Sequence, residues 1–442
     1  MAIGDRAYRR RRGRTVKLTI DQYRVTSLEW GDKNAYKDGR LTISKEGIND
    51  YLAKIEALSD IVLTDMELIC PGTSTRVINI FEVLPAHLRL GEGASNFPGV
   101  LDPIQAVGDG ASAALSDFSI LALSIMPSRY LKTLDKDGPG TLLTPYSSHH
   151  HLAFMAEPRQ PGMNQSDYNV LVKKMGLALG TYLTRIAAAT SAPADVAEYS
   201  LDTPPTGLPR VVYVCMLASL QNWDKGEPIL YGSDLSNMIP TILHPNELLD
   251  GAVVAQNFNL GIDTYSFVNN PVVQSLYERH GKDVDFVGIV ACGSHVTRNQ
   301  RERSVQMICK LAKDILGADM AILTKTGGGI PESDVMMTVE NLEKRGVTTV
   351  PIIWAHWGDG TIKDILTAYS PAADAMVSVG VNDAMFDLPG QKHVFGGDAI
   401  APLSDDPGAA PMPAHEPIRL RYREFCGAIN QLGASPIALL EI

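Results

Sequence analysis

Two patterns of hydrophobic and polar positions divide this chain of 442 residues. Over residues 15–160, short runs in which apolar and polar residues alternate are separated by glycine and proline. Successive side chains of a strand point to opposite faces, so this period of two predicts a β-rich domain. The clearest runs are residues 16–20, 40–43, 76–80 and 119–124.

The pattern changes after residue 160. Apolar residues in the stretch 166–180 have helical spacing, and Ser166 or Asp167 is the expected N-cap. The proline-containing stretch 191–209 predicts a linker.

From Pro209 onward, almost entirely apolar runs recur, each followed by polar residues and a helix-like stretch. Strands buried on both faces of a parallel sheet have this composition, and their alternation with helices predicts doubly wound α/β units. We therefore predict an α/β fold, in which an N-terminal β-rich domain precedes a Rossmann-like, mainly parallel domain. The predicted strands are 211–217, 252–255, 286–291, 320–324, 350–354 and 376–379.

These patterns give the predicted boundaries: a basic, disordered tail (1–14), the β-rich domain (15–160), a helical segment and linker (161–207), the α/β domain (208–400) and a C-terminal extension (401–442). The arginines at 9–12 could also belong to a twin-arginine export signal, but no apolar run follows them.

Composition narrows the function. A formal net charge of −11 argues against non-specific nucleic-acid binding. No apolar run reaches the roughly 18 residues of a membrane helix, so no membrane association is expected. The five cysteines form no CxxC pair, which favours a reducing, cytoplasmic setting.

Polar and reactive side chains follow each predicted strand of the α/β domain. Because ligands bind outside the carboxyl ends of parallel strands, these side chains are expected to converge on one edge of the sheet. They are Ser219, Gln221 and Asn222; Gln256, Asn257 and Asn259; Cys292 and His295; Lys325, Thr326 and Gly327–Gly329; His356 and Asp359; Asn382 and Asp383.

Two of these groups suggest chemistry. Cys292 and His295 fit a thiolate activated at a helix N-terminus, a Cys/His metal pair, or a buried cysteine beside a surface histidine. Lys325 and the glycines 327–329 form a glycine-rich turn, whose backbone N–H groups fit a substrate carboxylate better than a nucleotide. The alternative is a sharp turn without a ligand.

Three consecutive histidines, His149, His150 and His151, are the most distinctive local motif. On a strand, His149 and His151 would share one face, and imidazole suits Zn²⁺ or Fe²⁺. Glu157, Asp102, His295 and His356 are candidates for a third ligand. The alternative is a surface or subunit-contact cluster.

Ordered matches across residues 16–395 give the chain a resemblance to the substrate-activating subunit of glycine, sarcosine, betaine and D-proline reductases. The matching segments are 71–74 with 77–78, 97–99, 249–252, 269–271, 276–281, 286–288, 301–304 and 371–375. The resemblance implies a partner subunit with a selenocysteine or cysteine that cleaves a C–N bond reductively. It also implies a cysteine, after the stretch 251–255, that is converted to a pyruvoyl group.

Phe258 stands at the position of that cysteine, and Ile262 falls near the second cysteine of the family. Phenylalanine has neither a side-chain nucleophile nor a β-leaving group, so no pyruvoyl group is expected. Phe258 is expected to form an apolar wall of the pocket instead.

Three hypotheses follow. The first is a hydrolase that cleaves a C–N bond of a small amine or cyclic amide with metal-bound water, as part of a hetero-oligomer. The second is a substrate-binding subunit of a reductase whose redox chemistry lies on the partner chain. The third is a non-catalytic scaffold.

The residues assigned to these functions form three sets. The catalytic candidates are Cys292, His295, Lys325 and His356; the substrate-binding candidates are Asn257, Phe258, Thr326, Gly327, Gly328 and Asn382; the metal ligands are His149, His150 and His151.

Overall fold

The computed structural model describes residues 16–126, 131–201, 206–220, 227–236, 238–256, 261–356, 366–401 and 410–435. Its strands are β1 (Lys17–Arg24), β2 (Ser27–Trp30), β3 (Ala35–Lys37), β4 (Arg40–Ile43), β5 (Ile61–Ile69), β6 (Thr75–Arg89), β7 (Gly110–Leu123), β8 (Lys132–Asp135), β9 (His150–Pro158), β10 (Asp195–Ser200), β11 (Arg210–Ser219), β12 (Thr241–Leu243), β13 (Asp285–Ser294), β14 (Met320–Thr324), β15 (Thr348–Ala355), β16 (Val377–Val381), β17 (Met385–Leu388), β18 (His393–Phe395), β19 (Ala399–Ile400), β20 (Met412–Pro413) and β21 (Ile418–Arg421). Its α-helices are α1 (Lys45–Leu52), α2 (Gln165–Thr190), α3 (Pro245–Leu249), α4 (Thr264–Val268), α5 (Pro271–Arg279), α6 (Arg298–Cys309) and α7 (Ile330–Glu343). The predicted mixed α/β character is confirmed.

The first sheet has eight strands. Its main path runs β10-β1-β7-β6-β18, while β9 pairs with β7, β5 with β9, and β8 with β6. The two long strands β6 and β7 are antiparallel and form its centre. The predicted tail 1–14 lies outside the described residues.

Helix α2 covers the centre of this sheet at close range. A Cβ atom on Gly176 would lie 2.2 Å from Leu84 Cδ1, and a Cβ atom on Gly180 would lie 2.5 Å from Pro85 O. The two glycines, one turn apart on α2, therefore let the helix rest on β6. Asn164 is the N-cap, through a 2.9 Å bond from Asp167 N, so the predicted cap at Ser166 or Asp167 is wrong.

The second sheet has six strands in the order β12-β13-β11-β14-β15-β16. All neighbours are parallel except β12, which runs antiparallel to β13. Alternate residues of β11 enter different cores: Val212 packs with α6 and α7, whereas Tyr213 packs with α3, α4 and α5. Burial of both faces explains why the strand is apolar throughout.

The segment 251–255 departs from its predicted role as a strand of this sheet. Gly251 has a φ of +84°, a conformation that favours glycine, and turns the chain out of α3. Val253 then forms only an isolated bridge with Leu230, supported by a 2.9 Å bond from Val254 N to Ile229 O. Because the segment 251–255 pairs with the segment 229–231, it is not a strand of the second sheet. It is a buried apolar connection between the two sheets.

Asp250 connects the two sheets. Its carboxylate is fully buried and accepts four hydrogen bonds from the first sheet and its loops. The donors are His87 Nε2 (3.0 Å), Arg89 Nη1, Gly108 N (2.7 Å) and Ser112 Oγ (2.6 Å). Since Asp250 is the C-cap of α3, these bonds fix α3 and the following segment 251–256 against β6 and β7.

The chain returns to the first sheet after the second one. Strand β18 pairs in parallel with β6, and Phe425 forms a bridge with Thr133 beside β8. Arg76 on β6 is fully buried, makes two bonds with Asp135 (2.7 and 2.8 Å), and donates to the carbonyl oxygens of residues 389, 414 and 416. These bonds hold the C-terminal segment against the first sheet.

None of the helices within the described ranges is long and apolar enough to span a membrane.

Candidate functional site

The carboxyl ends of four parallel strands bring predicted side chains to one edge of the second sheet. His295, Lys325, His356 and Asn382 directly follow β13, β14, β15 and β16. The predicted residues Gln221, Asn222, Asn257, Phe258, Asn259 and Asp359 lie outside the described residues.

Lys325 and His356 meet at a carboxylate that the sequence did not single out. Lys325 Nζ lies 2.9 Å from Glu332 Oε2, and His356 Nε2 lies 3.7 Å from the same oxygen. Lys325 and Glu332 are both fully buried, and the Lys325 ammonium lies 4.7 Å from the centre of the Trp354 ring. The ion pair is thus covered by an aromatic face.

The charges of this pair stabilise each other. Burial pushes the pKa of Glu332 upward, but His356 and Lys325 outweigh it and hold the pKa at about 2. Burial lowers the pKa of Lys325, and Glu332 opposes that effect. The amides of residues 367 and 368 also donate to Glu332 Oε1, at 2.6 and 3.0 Å, so the carboxylate is ionised at neutral pH.

The glycine turn 327–329 is engaged within the protein. Gly327 N donates to Gln431 Oε1 (2.9 Å), and Gly329 N donates to Thr367 Oγ1 (3.1 Å). Thr326 Oγ1 donates to Met216 O, at 2.8 Å. A Cβ atom on Gly328 would lie 2.7 Å from His356 Cε1, so glycine at this position allows the histidine to approach. A substrate carboxylate would have to displace Gln431 or Thr367 to use these two N–H groups.

Cys292 and His295 do not form a reactive pair at this edge. Strand β13 extends to Ser294, so Cys292 lies inside the strand, with its Sγ 3.7 Å from Cys215 O. Burial raises the pKa of the Cys292 thiol well above its usual range, which keeps the thiol neutral. His295 is buried, and its Nε2 lies 2.9 Å from Met238 O.

His150 and His151 lie on β9 of the first sheet, and His149 directly precedes that strand. His151 is fully buried, with Nδ1 2.8 Å from Ser119 Oγ and Nε2 2.8 Å from Tyr146 O. A nitrogen bonded to a carbonyl oxygen carries the proton and cannot bind a metal, so Nδ1 would have to give up Ser119. Burial lowers the pKa of His149 to about 4. Across the described ranges, no group of histidine, cysteine and carboxylate side chains is arranged to hold a metal ion, so the predicted metal site has no support.

A second group of buried charges, which the sequence did not predict, surrounds Lys173 on α2. Lys173 Nζ donates to Glu227 Oε2, to Ala255 O (2.7 Å) and to Gln256 O. Glu227 is fully buried and also accepts a bond from Asn169, one turn earlier on α2. We call Lys173, Glu227 and Glu82 the Lys173 cluster. It fixes the two residues that precede positions 257–260.

Glu82 on β6 is the third member of this cluster. Its Oε1 accepts bonds from Val83 N (3.2 Å) and Thr264 N (2.9 Å). Its Oε2 lies 3.9 Å from Lys173 Nζ and is a buried atom for which the described part of the chain offers no hydrogen-bond partner. Burial, together with the nearby Asp263, raises the pKa of Glu82 to about 8, although Lys173 opposes the rise.

A neighbouring group of buried polar side chains surrounds Asp263, which follows positions 257–260 in the sequence. Asp263 caps α4 and accepts bonds from Ser266 N and Tyr146 Oη, both at 2.7 Å. Burial raises the pKa of Asp263 to about 6, and these bonds oppose the rise. Asn430 Nδ2 donates to Ser266 Oγ (2.7 Å). Since the adjacent Gln431 contacts Gly327, the C-terminal segment joins this group to the edge of the second sheet.

One signal in the sequence pointed to the Lys173 cluster. Lys173 and Lys174 are adjacent within an apolar helical stretch, and a lysine there must either reach solvent or bury its charge with partners. The partners Glu82, Glu227, Ala255 and Gln256 come from three distant parts of the chain, and only the fold assembles them.

The family of glycine/sarcosine/betaine reductase component B subunits matches over residues 16–437. The glycine reductase complex component B subunits alpha and beta of Acetoanaerobium sticklandii are 29% identical over 392 residues, 86% of this chain and 89% of that relative. The protein with the same name from Peptoclostridium acidaminophilum is 28% identical over 431 residues, 95% of this chain and 98% of that relative.

A third relative, the betaine reductase complex component B subunit alpha of Peptoclostridium acidaminophilum, is 29% identical over 394 residues, 86% of this chain and 88% of that protein. No solved structure matches. These relatives are named as parts of reductase complexes, and this contradicts the prediction of a hydrolase.

Proposed function

Because the chain belongs to the family of glycine/sarcosine/betaine reductase component B subunits, we propose that it is the substrate-binding subunit of a reductase complex whose redox chemistry lies on a partner chain. The proposed substrate is a small amine, of the kind named in its relatives. The carboxyl edge of the six-stranded sheet and the Lys173 cluster are proposed to form the binding region.

The state of the cysteines carries this proposal. All five lie within the described residues as free thiols; four are buried and Cys70 is half-buried. Burial raises the pKa of every one of these thiols. A reactive thiol must be accessible and readily ionised, so this chain is poorly suited to thiol redox chemistry and a partner would have to supply it.

The residues do not fit a pyruvoyl group. Phe258 offers no nucleophile to the preceding peptide bond. The nearest threonine and serine that follow it among the described residues, Thr264 and Ser266, are engaged at the start of α4. Thr264 Oγ1 accepts from Ala255 N, and Ser266 Oγ donates to Asp263. We therefore propose substrate binding without a covalent carbonyl cofactor.

The redox assignment predicts a requirement for both a partner and a dithiol. The purified complex should release amine from glycine, sarcosine or betaine only when a dithiol donor is supplied, whereas this chain alone should release none. Amine release, measured with and without donor and partner, checks this. Cys70→Ala is the matched control, because Cys70 is the least buried thiol, and the variant should keep full turnover. Turnover by this chain alone, or its loss in Cys70→Ala, would place the redox group here.

The second expectation concerns chain integrity. The protein should give a single species with the mass of all 442 residues. It should form no adduct with a hydrazine reagent, because no ketone is present. Intact-mass spectrometry before and after treatment measures both. Two fragments divided near position 257, or a mass increase from the reagent, would show that a carbonyl group forms despite Phe258.

A further inference from the structure

The Lys173 ammonium is surrounded by more hydrogen-bond acceptors than it has hydrogens to donate. The Lys173 ammonium has three hydrogens, and three acceptors take them: Glu227 Oε2, Ala255 O and Gln256 O. Glu82 Oε2 lies 3.9 Å away as a fourth acceptor and has no hydrogen-bond partner among the described residues. Both side chains are almost completely removed from solvent.

Burial of an ionised carboxylate oxygen without a hydrogen-bond donor costs free energy. Glu82 is therefore more stable with a proton while Lys173 donates its hydrogens to other acceptors. Asp263 does not have this need, because Tyr146 and Ser266 donate three bonds to its carboxylate. Glu227 does not have it either, since Lys173 and Asn169 donate to it. The proton therefore belongs on Glu82.

We propose that Glu82 and Lys173 form a proton-dependent switch that positions the segment Ala255–Gln256. While Glu82 carries its proton, the Lys173 ammonium holds both carbonyl oxygens. When Glu82 loses the proton, its Oε2 becomes the strongest unpaired acceptor near the ammonium, takes one of its hydrogens, and the grip on the segment is weakened. Glu82 is thus a positioning residue that acts through Lys173.

The charged and titratable groups around Glu82 act on its pKa in opposite directions. Burial has the largest effect and raises the pKa of Glu82 from 4.5 to about 8. Lys173 on α2 and the amide of Thr264 favour the ionised form, whereas Asp263 before α4 and Glu227 favour the protonated form. The nearby Cys426 thiol is buried and stays neutral, because its own pKa is raised. The folded protein therefore holds the proton below this pH and loses it above.

Hydrogen exchange measured by mass spectrometry on the full chain tests the switch. Spectra are compared about one pH unit below and above the Glu82 pKa, corrected for the intrinsic pH dependence of exchange. The amides of Val254 and Ala255, which hold this segment in place, should lose protection about tenfold in the wild type above that pH. Amides of β11 serve as the internal control and should not change.

Two variants identify the responsible group. Glu82→Gln and Glu82→Met cannot ionise, so the pH-dependent loss of protection should disappear in whichever of them folds. An unchanged wild-type segment across this pH range overturns the proposal without any variant, and so does the same pH response in Glu82→Gln. The importance of the switch for substrate binding rests on the proposed function. The exchange result does not, because no substrate, partner or turnover enters it.

Discussion

Replacement of Asp250 by alanine is expected to lower the free energy of unfolding by about 4 kcal/mol, because it leaves buried donors without their acceptor. Arg89, His87, Ser112 and the amide of Gly108 all point to this one carboxylate. The loss is larger than that of an ordinary ion pair, since the carboxylate is fully buried and joins elements of both sheets. Urea unfolding followed by circular dichroism measures the change.

A matched control separates burial from charge. Asp314 lies 2.9 Å from Lys310 in an exposed pair, with 53% of its side chain accessible. Asp314→Ala should cost at most about 0.5 kcal/mol, because water already solvates both charges of the pair. Asp250→Asn keeps the shape and should fall between the two alanine variants. A cost for Asp250→Ala similar to that of Asp314→Ala would mean that the four bonds contribute no net stability.

Replacement of Lys173 by methionine is expected to have the second large effect, on both stability and function. Methionine keeps the apolar stem but removes the ammonium that donates to Glu227 Oε2 and to the carbonyl oxygens of Ala255 and Gln256. A buried charge that loses its partner costs about 3–5 kcal/mol. The segment next to positions 257–260 should also shift, and misplacement of a substrate by about 1 Å can reduce turnover about 100-fold.

Lys174→Met is the control for this variant. Lys174 is the next residue of the same helix, is only half-buried and forms no ion pair with the described residues. It should change neither the unfolding midpoint nor turnover appreciably. The informative comparison is therefore the denaturation midpoint and the rate of amine release of the two variants side by side. If both behave like the wild type, Lys173 is not the residue that holds the segment.

The double variant Lys173→Met with Glu227→Gln tests the origin of the cost. Removal of the ammonium alone leaves a charge buried, whereas removal of both charges leaves only neutral polar groups. The double variant should therefore recover about half of the stability lost in Lys173→Met.

Some errors of sequence-based prediction have a common physical cause. Cys292 and His295 looked reactive because a loop was expected after residue 291, yet β13 continues to Ser294 and buries the thiol. The segment 252–255 has the composition of a buried strand, but a buried segment that crosses between two sheets needs the same apolar residues. In both cases the local composition predicts that the segment is buried, but it does not predict which part of the chain packs or pairs with it.

The carboxyl edge of the second sheet shows the same limit. Lys325 and His356 were expected near each other from the order of strands, and the structure brings both to Glu332. In the sequence, Glu332 looks like an ordinary acidic residue in the first turn of a helix. Its importance comes from burial against Lys325, which depends on how α7 packs on β14 and β15.

The sequence by itself determined the mixed α/β class and the family, because apolar runs and ordered motifs are contiguous in the chain. They can be recognised without knowing which residues are in contact. The order of the strands, the bonds of Asp250 between the sheets, and the single ammonium shared by Glu82, Glu227 and two carbonyl oxygens were decided only by the tertiary structure. These features depend on groups separated by dozens to more than a hundred positions, and each charge acquires its role only when burial removes the water around it.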